Sequence, residues 1–189
     1  MDEKSGLKSI LWMVQTAMFI ALLITAQMVT QPMGQFVTGS SVNFILVVAC
    51  ILLGLPAAAT VGVVSPALSF MITGRPPFLV LIPIIMLSNV VLVVAVHFIF
   101  AKNFMESNVF CYIRAVMAVV VGSVLKFLVL FFGIVQIALA FIPNIMPPQV
   151  TAMSHMFSWP QPVTALIGSA LAMMVTPYLV RAVKGIRSR

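Results

Sequence analysis

The chain has 189 residues, 62% of them hydrophobic and 7% charged, with a mean hydropathy of +1.22, which excludes an ordinary soluble globular domain. A helix needs about 20 residues to cross hydrocarbon, so the length holds five to seven spans and no appended soluble domain. The net charge of +7 comes from basic residues scattered at the ends of apolar runs rather than clustered; this argues against a nucleic-acid surface and for orientation in a lipid membrane.

The expected fold class is an all-α integral membrane protein with six transmembrane helices, a single transmembrane domain over 1–189. The opening MDEKSGLK leads into an apolar stretch too long for a signal-peptide core and without a small-residue cleavage site, so it is expected to remain as span one, about Leu7 to Val29. Trp12 sits near its start, as an interfacial anchor does. Ala17 and Ala21 form an AxxxA pair, which lets another helix approach closely in lipid; taken alone, such a pair reads as internal packing. Next comes Gln31 to Phe44, QPMGQFVTGSSVNF, polar, uncharged and glycine-containing between two apolar runs. Non-helical backbone at a membrane is tolerated where it is buried in protein or lines an aqueous cavity. The stretch therefore reads as a loop that closes over a cavity, with an ordinary outer turn as the alternative.

Val42 to Leu53 and Ala57 to Ile72 form two short spans joined at Gly54-Leu55-Pro56 as a tight hairpin. Pro66 lies inside the second and is expected to kink it and free a backbone carbonyl. The turn Gly74-Arg75-Pro76-Pro77 leads to a span from about Phe78 to Phe100 that contains Pro83, Asn89 and His97. Ala101 to Asn108, with Lys102 and Glu106, reads as cytoplasmic. The fifth span, Val109 to Ile137, carries Lys126 halfway along; Ala138 to Pro162 is the longest non-helical candidate; Val163 to Val180 is the last span. Cys50 and Cys111 lie in separate apolar segments without metal-ligand or CxxC spacing, so no metal, cofactor or disulfide is expected.

Six spans place both termini on one side. Lys4, Lys8, Lys102, Arg114, Arg181, Lys184, Arg187 and Arg189, eight of the ten basic residues, then share that side, which the positive-inside rule makes cytoplasmic. The exceptions are Arg75, outside, and Lys126, within the membrane. A cation near the middle of a span costs about 2.5–3.5 kcal/mol to insert and marks a functional site by default; a snorkelling lysine is the alternative. Asn89 and Gln136 read first as helix-joining amides. Arg75 is either an anion contact or a solvated turn residue, His155 a ligand contact or an idle loop residue, and His97 is structural. The three acidic residues, Asp2, Glu3 and Glu106, fall outside the expected spans, and no Walker motif is present. General acid–base chemistry, proton relay and ATP hydrolysis by this chain are therefore not expected. The chain reads as a binder driven by partners, against the alternatives of a ligand-free membrane scaffold and a small membrane enzyme.

The blocks Ala17-Met18-Phe19-Ile20-Ala21, GQFVTGSSVNF, SPALSFMITGRPP and IPIIMLSN, in this order over nearly the whole chain, resemble the S-component of an energy-coupling-factor (ECF) vitamin transporter. The resemblance implies a prokaryotic plasma-membrane subunit that binds a water-soluble vitamin near the outer surface, under the loops after spans one, three and five. It implies as partners a transmembrane coupling subunit, docked on the alanine face of span one at Ala17 and Ala21, and two cytoplasmic ATPases, with the S-component toppling to deliver its ligand. The ITG-x-PP and IP-x4-SN patterns resemble the cobalamin-type subgroup; pantothenate and pyrimidine- or pyridoxine-type vitamins follow. The expected binding residues are Gln35, Thr38 and Ser40 in the closing loop, Asn43, Asn89 and Lys126 below it, and Arg75 and His155 in the other outer loops.

Overall fold

The computed structural model describes residues 3–100 and 109–187. Among the described residues seven α-helices follow one another: α1 (Glu3–Thr30), α2 (Gln35–Leu53), α3 (Leu55–Thr73), α4 (Ile82–Ile99), α5 (Val109–Leu130), α6 (Pro147–Met156) and α7 (Pro160–Arg187). No strand occurs among the described residues. Among the described residues six helical segments are long and apolar enough to cross a membrane, consistent with a multi-pass membrane protein. The connection expected at Ala101 to Asn108 lies outside the described residues.

Local sequence explains where most helices stop. Gly54 adopts φ +87°, a backbone region that side-chain-bearing residues avoid, and Pro56 occupies the first turn of α3, where its missing N–H costs nothing. One residue thus separates α2 from α3, the tight hairpin the sequence predicts. Gly34, at φ +88°, likewise ends a 3-10 turn over Gln31–Met33.

The stretch after Gly34 corrects the expectation of a closing loop. Gln35 to Ser41 forms the first turns of α2. Its hydroxyls fold back on the helix: Thr38 Oγ1 donates to the Gly34 carbonyl at 3.1 Å and Ser41 Oγ to the Val37 carbonyl at 2.9 Å. Polar side chains satisfied in this way do not interrupt a helix. Gly39 is correspondingly a packing site, since a Cβ there would lie 2.9 Å from Thr164 Oγ1. The expected loop from Ala138 to Pro162 is also largely helical. Pro147 and Pro148 open α6 in its first turn, and α7 begins at Pro160.

Helix α2 runs through the middle of the bundle, packing most extensively on α7 and also on α1, α3 and α4. Its residues Ile45 to Cys50 join Leu23, Val61, Leu92, Val93 and Ala172 in the main core. A second cluster forms from Leu81, Leu130, Ile134, Leu139 and Phe157. Helix α1 packs chiefly on α2 and α3, leaving Met13, Val14, Ala17, Met18 and Ala21 exposed. Gln136 is exposed too, so it does not join helices within the bundle as expected.

Candidate ligand-binding cavity

Three connections converge on one cavity of about 650 Å³. Gln31 and Gly34 come from the α1–α2 link, Gly74 to Pro77 from the α3–α4 link, and Phe157 from the turn between α6 and α7. These follow spans one, three and five. The lining is mixed, with amides and hydroxyls set among Val42, Pro66, Ile85, Leu130, Met153, Met156 and Phe157. Such a volume and composition suit a small molecule held largely by apolar contact and oriented by a few polar groups.

At the inner end lies Lys126, 4% exposed. Its Nζ donates to Asn43 Oδ1 at 2.6 Å and to Asn89 Oδ1 at 2.7 Å, and the two asparagines are 1% and 2% exposed. The lysine therefore does not snorkel. Burying an ammonium is expensive unless oxygen acceptors replace its water, and two amide dipoles do so here without neutralising the charge.

Each asparagine is held from behind by a glycine. On α7, a Cβ at Gly168 would stand 2.3 Å from the Ser40 carbonyl oxygen and 2.8 Å from Asn43 Cβ, so α7 can lie against α2 at this level only because residue 168 has no side chain. On α3, a Cβ at Gly62 would sit 3.1 Å from Asn89 Cβ, and the Gly62 carbonyl accepts from Asn89 Nδ2 at 3.1 Å. That carbonyl is one turn before Pro66, whose ring nitrogen cannot donate to it. The carbonyl that Pro66 was expected to free is therefore taken by Asn89, which turns its oxygen to Lys126.

The rim is built from short-range bonds. Thr73 Oγ1 donates to the Ser69 carbonyl at 2.7 Å and accepts from the Arg75 backbone N–H at 3.3 Å, holding the turn that presents Arg75 at the mouth. Opposite, Gln161 Nε2 donates to the Met156 carbonyl at 2.9 Å, tying the start of α7 to the end of α6. Just past Lys126, Phe131 to Ile137 widens into a π-helical segment, a distortion often found beside functional sites. A Cβ at Gly133 within it would meet Ile84 Cγ2 at 2.6 Å.

Of the residues singled out from the sequence, Gln35, Thr38, Asn43, Arg75, Asn89 and Lys126 line this cavity together. Ser40 and His155 lie outside its lining. The helical form of α2 carries Ser40 to a second, apolar cleft with Leu22, Phe36, Phe44 and Ile167. His155 is exposed and accepts from Trp159 Nε1 at 3.3 Å, while Trp159 packs on Phe36 with ring centroids 5.4 Å apart. Gln27, Gln31, Ser69, Thr73, Ser88 and Gln161, which complete the polar lining, were not among the binding residues expected from the sequence. Helical spacing carried a signal for four of them: Gln27 is one turn before Gln31, and Ser69 one turn before Thr73. Gln27 Oε1 is buried there without a hydrogen-bond partner.

No protein-family model, no curated protein and no solved structure matches the chain.

Proposed function

We propose that this chain is the substrate-binding subunit of an ECF-type importer, capturing a water-soluble vitamin or vitamin precursor in the cavity and delivering it inward when coupled to its partners. The observation that carries this reading is the buried Lys126, held by Asn43 and Asn89 at the base of a cavity where three inter-helix connections meet. A ligand-free scaffold has no use for a desolvated cation beneath an open, amide-rich mouth, and insertion of that cation is costly. An enzyme is disfavoured by the absence of any Asp or Glu other than Asp2, Glu3 and Glu106. In this reading the cavity mouth faces outward, both termini are cytoplasmic, and the exposed Ala17 and Ala21 of α1 receive the coupling subunit, with ATP hydrolysis left to two cytoplasmic ATPases.

Among the vitamin classes implied by the resemblance, the volume favours a compact one. About 650 Å³ suits a ligand of pantothenate or pyridoxine size, whereas a corrinoid, a decorated macrocycle, would stand partly outside the mouth. The test is purification in mild detergent followed by mass spectrometry of released small molecules, with calorimetry on each compound found. Recovery of a vitamin-sized compound whose binding is lost in Lys126→Met supports the proposal. A protein that carries no small molecule and binds none of the water-soluble vitamins in calorimetry overturns it.

A further inference from the structure

The polar groups of the cavity are unequal in sign. Lys126 lies at its base and Arg75 at its mouth, and among the described residues no Asp or Glu lines it. The whole chain offers only Asp2, Glu3 and Glu106 as acids. The Lys126 ammonium has three N–H donors, and the two asparagine oxygens take two of them. Asn89 cannot turn away to serve a ligand instead, because its amide nitrogen is engaged by the Gly62 carbonyl. The arrangement leaves one Lys126 donor direction unused and, among the described lining residues, no carboxylate to pair with it. A second observation comes from α1. Gln27 lines the same cavity with a buried amide oxygen that meets no donor. A buried acceptor left without a partner is uncommon and unfavourable.

We propose that the ligand of this cavity is a small amphipathic anion, a carboxylate or phosphate ester, whose ionised group meets Lys126 and whose hydroxyl or amide N–H reaches Gln27. The proposal rests on the reading of the cavity as a ligand site and specifies its chemistry. An anion supplies what the protein itself withholds: the counter-charge for Lys126, in a setting where the apolar lining strengthens a charge-assisted hydrogen bond. Arg75, exposed at the entrance, adds attraction during approach. The apolar residues Val42, Ile85, Leu130 and Phe157 take the body between the two polar ends.

The test uses the full chain in detergent micelles and pairs in which a neutral group replaces the ionised one on the same body: pantothenate with pantothenol, nicotinate with nicotinamide, biotin with biotin amide, and pyridoxal phosphate with pyridoxal. Binding is measured by calorimetry. The expected result is that at least one anion binds tenfold or more tightly than its neutral partner, that Arg75→Gln weakens this binding and makes its decline with added salt shallower, and that Gln27→Leu weakens both members of the pair alike. The comparison of anion with neutral partner is made on the unaltered protein, so it stands even where Lys126→Met fails to fold. Equal binding of anion and neutral partner overturns the anionic assignment and leaves the cavity a ligand site. Absence of binding by every member of every pair overturns the anionic assignment, and absence of binding by the remaining water-soluble vitamins as well overturns the ligand site with it.

Discussion

Asn89 makes the sharpest test of how this site is held, because one side chain serves two elements. Asn89→Leu keeps an apolar residue of similar length on α4 but removes an acceptor 2.7 Å from Lys126 Nζ and a donor 3.1 Å from the Gly62 carbonyl. A hydrogen bond to a charged group contributes about 2 kcal/mol and a neutral one about 1 kcal/mol, so the substitution is expected to cost about 3 kcal/mol of stability. The neutral part has a built-in control. In Pro66→Ala, residue 66 regains an N–H that can donate along α3 to the Gly62 carbonyl, so that carbonyl keeps a partner after Asn89 is lost. Asn89→Leu should then cost about 1 kcal/mol less in the Pro66→Ala background than in the natural one. The assay is equilibrium unfolding of the four proteins in mixed dodecyl maltoside and dodecyl sulfate micelles, read by circular dichroism. Additivity within about 0.5 kcal/mol, the ordinary finding for independent sites, would refute the chain of dependence from Pro66 through Gly62 and Asn89 to Lys126.

Gly168→Leu should part α2 from α7, costing about 1–3 kcal/mol as overpacking does and weakening ligand binding through displacement of Asn43; Gly6→Ala, where nothing lies within 4 Å, is the control, and equal melting temperatures for the two variants would contradict the close approach. Lys126→Met and Asn89→Leu are each expected to weaken ligand binding at least tenfold, about 1.4 kcal/mol, in calorimetry; unchanged affinity in both would move the site elsewhere. Trp at positions 17 and 21 should abolish uptake in cells that express the coupling partners while leaving ligand binding intact, and persistent uptake would remove this face as the docking surface. Cysteines introduced at the exposed Met33 and Thr151, after replacement of Cys50 and Cys111, should react with an impermeant maleimide from outside intact cells; labelling only after permeabilisation inverts the orientation.

Sequence alone determined the helical class, the six segments long and apolar enough to cross a membrane, the α2–α3 hairpin at Gly54, and the residues most costly to bury. These properties are local or additive: hydropathy sums over a window, glycine and proline act on their own backbone, and a lysine amid apolar residues is expensive wherever the fold places it. Even the carbonyl released by Pro66 was legible, because the missing N–H and its lost acceptor are four residues apart on one helix. What takes that carbonyl was not, since Asn89 is 27 residues from Gly62 along the chain, and Lys126 is 83 residues from Asn43. Nor were the glycines at 62 and 168 distinguishable from others until the facing helices were in place, because a close approach is a property of two surfaces. The start of α2 was misread for a related reason. Span limits taken from apolarity end where the side chains turn polar, yet Gln35, Thr38 and Asn43 are polar because that face of α2 borders the cavity, while the hydroxyls of Thr38 and Ser41 are satisfied within the helix itself. Which residues are costly was written in their order along the chain; which of them meet, and around what space, was decided only when the helices packed with three links at one end.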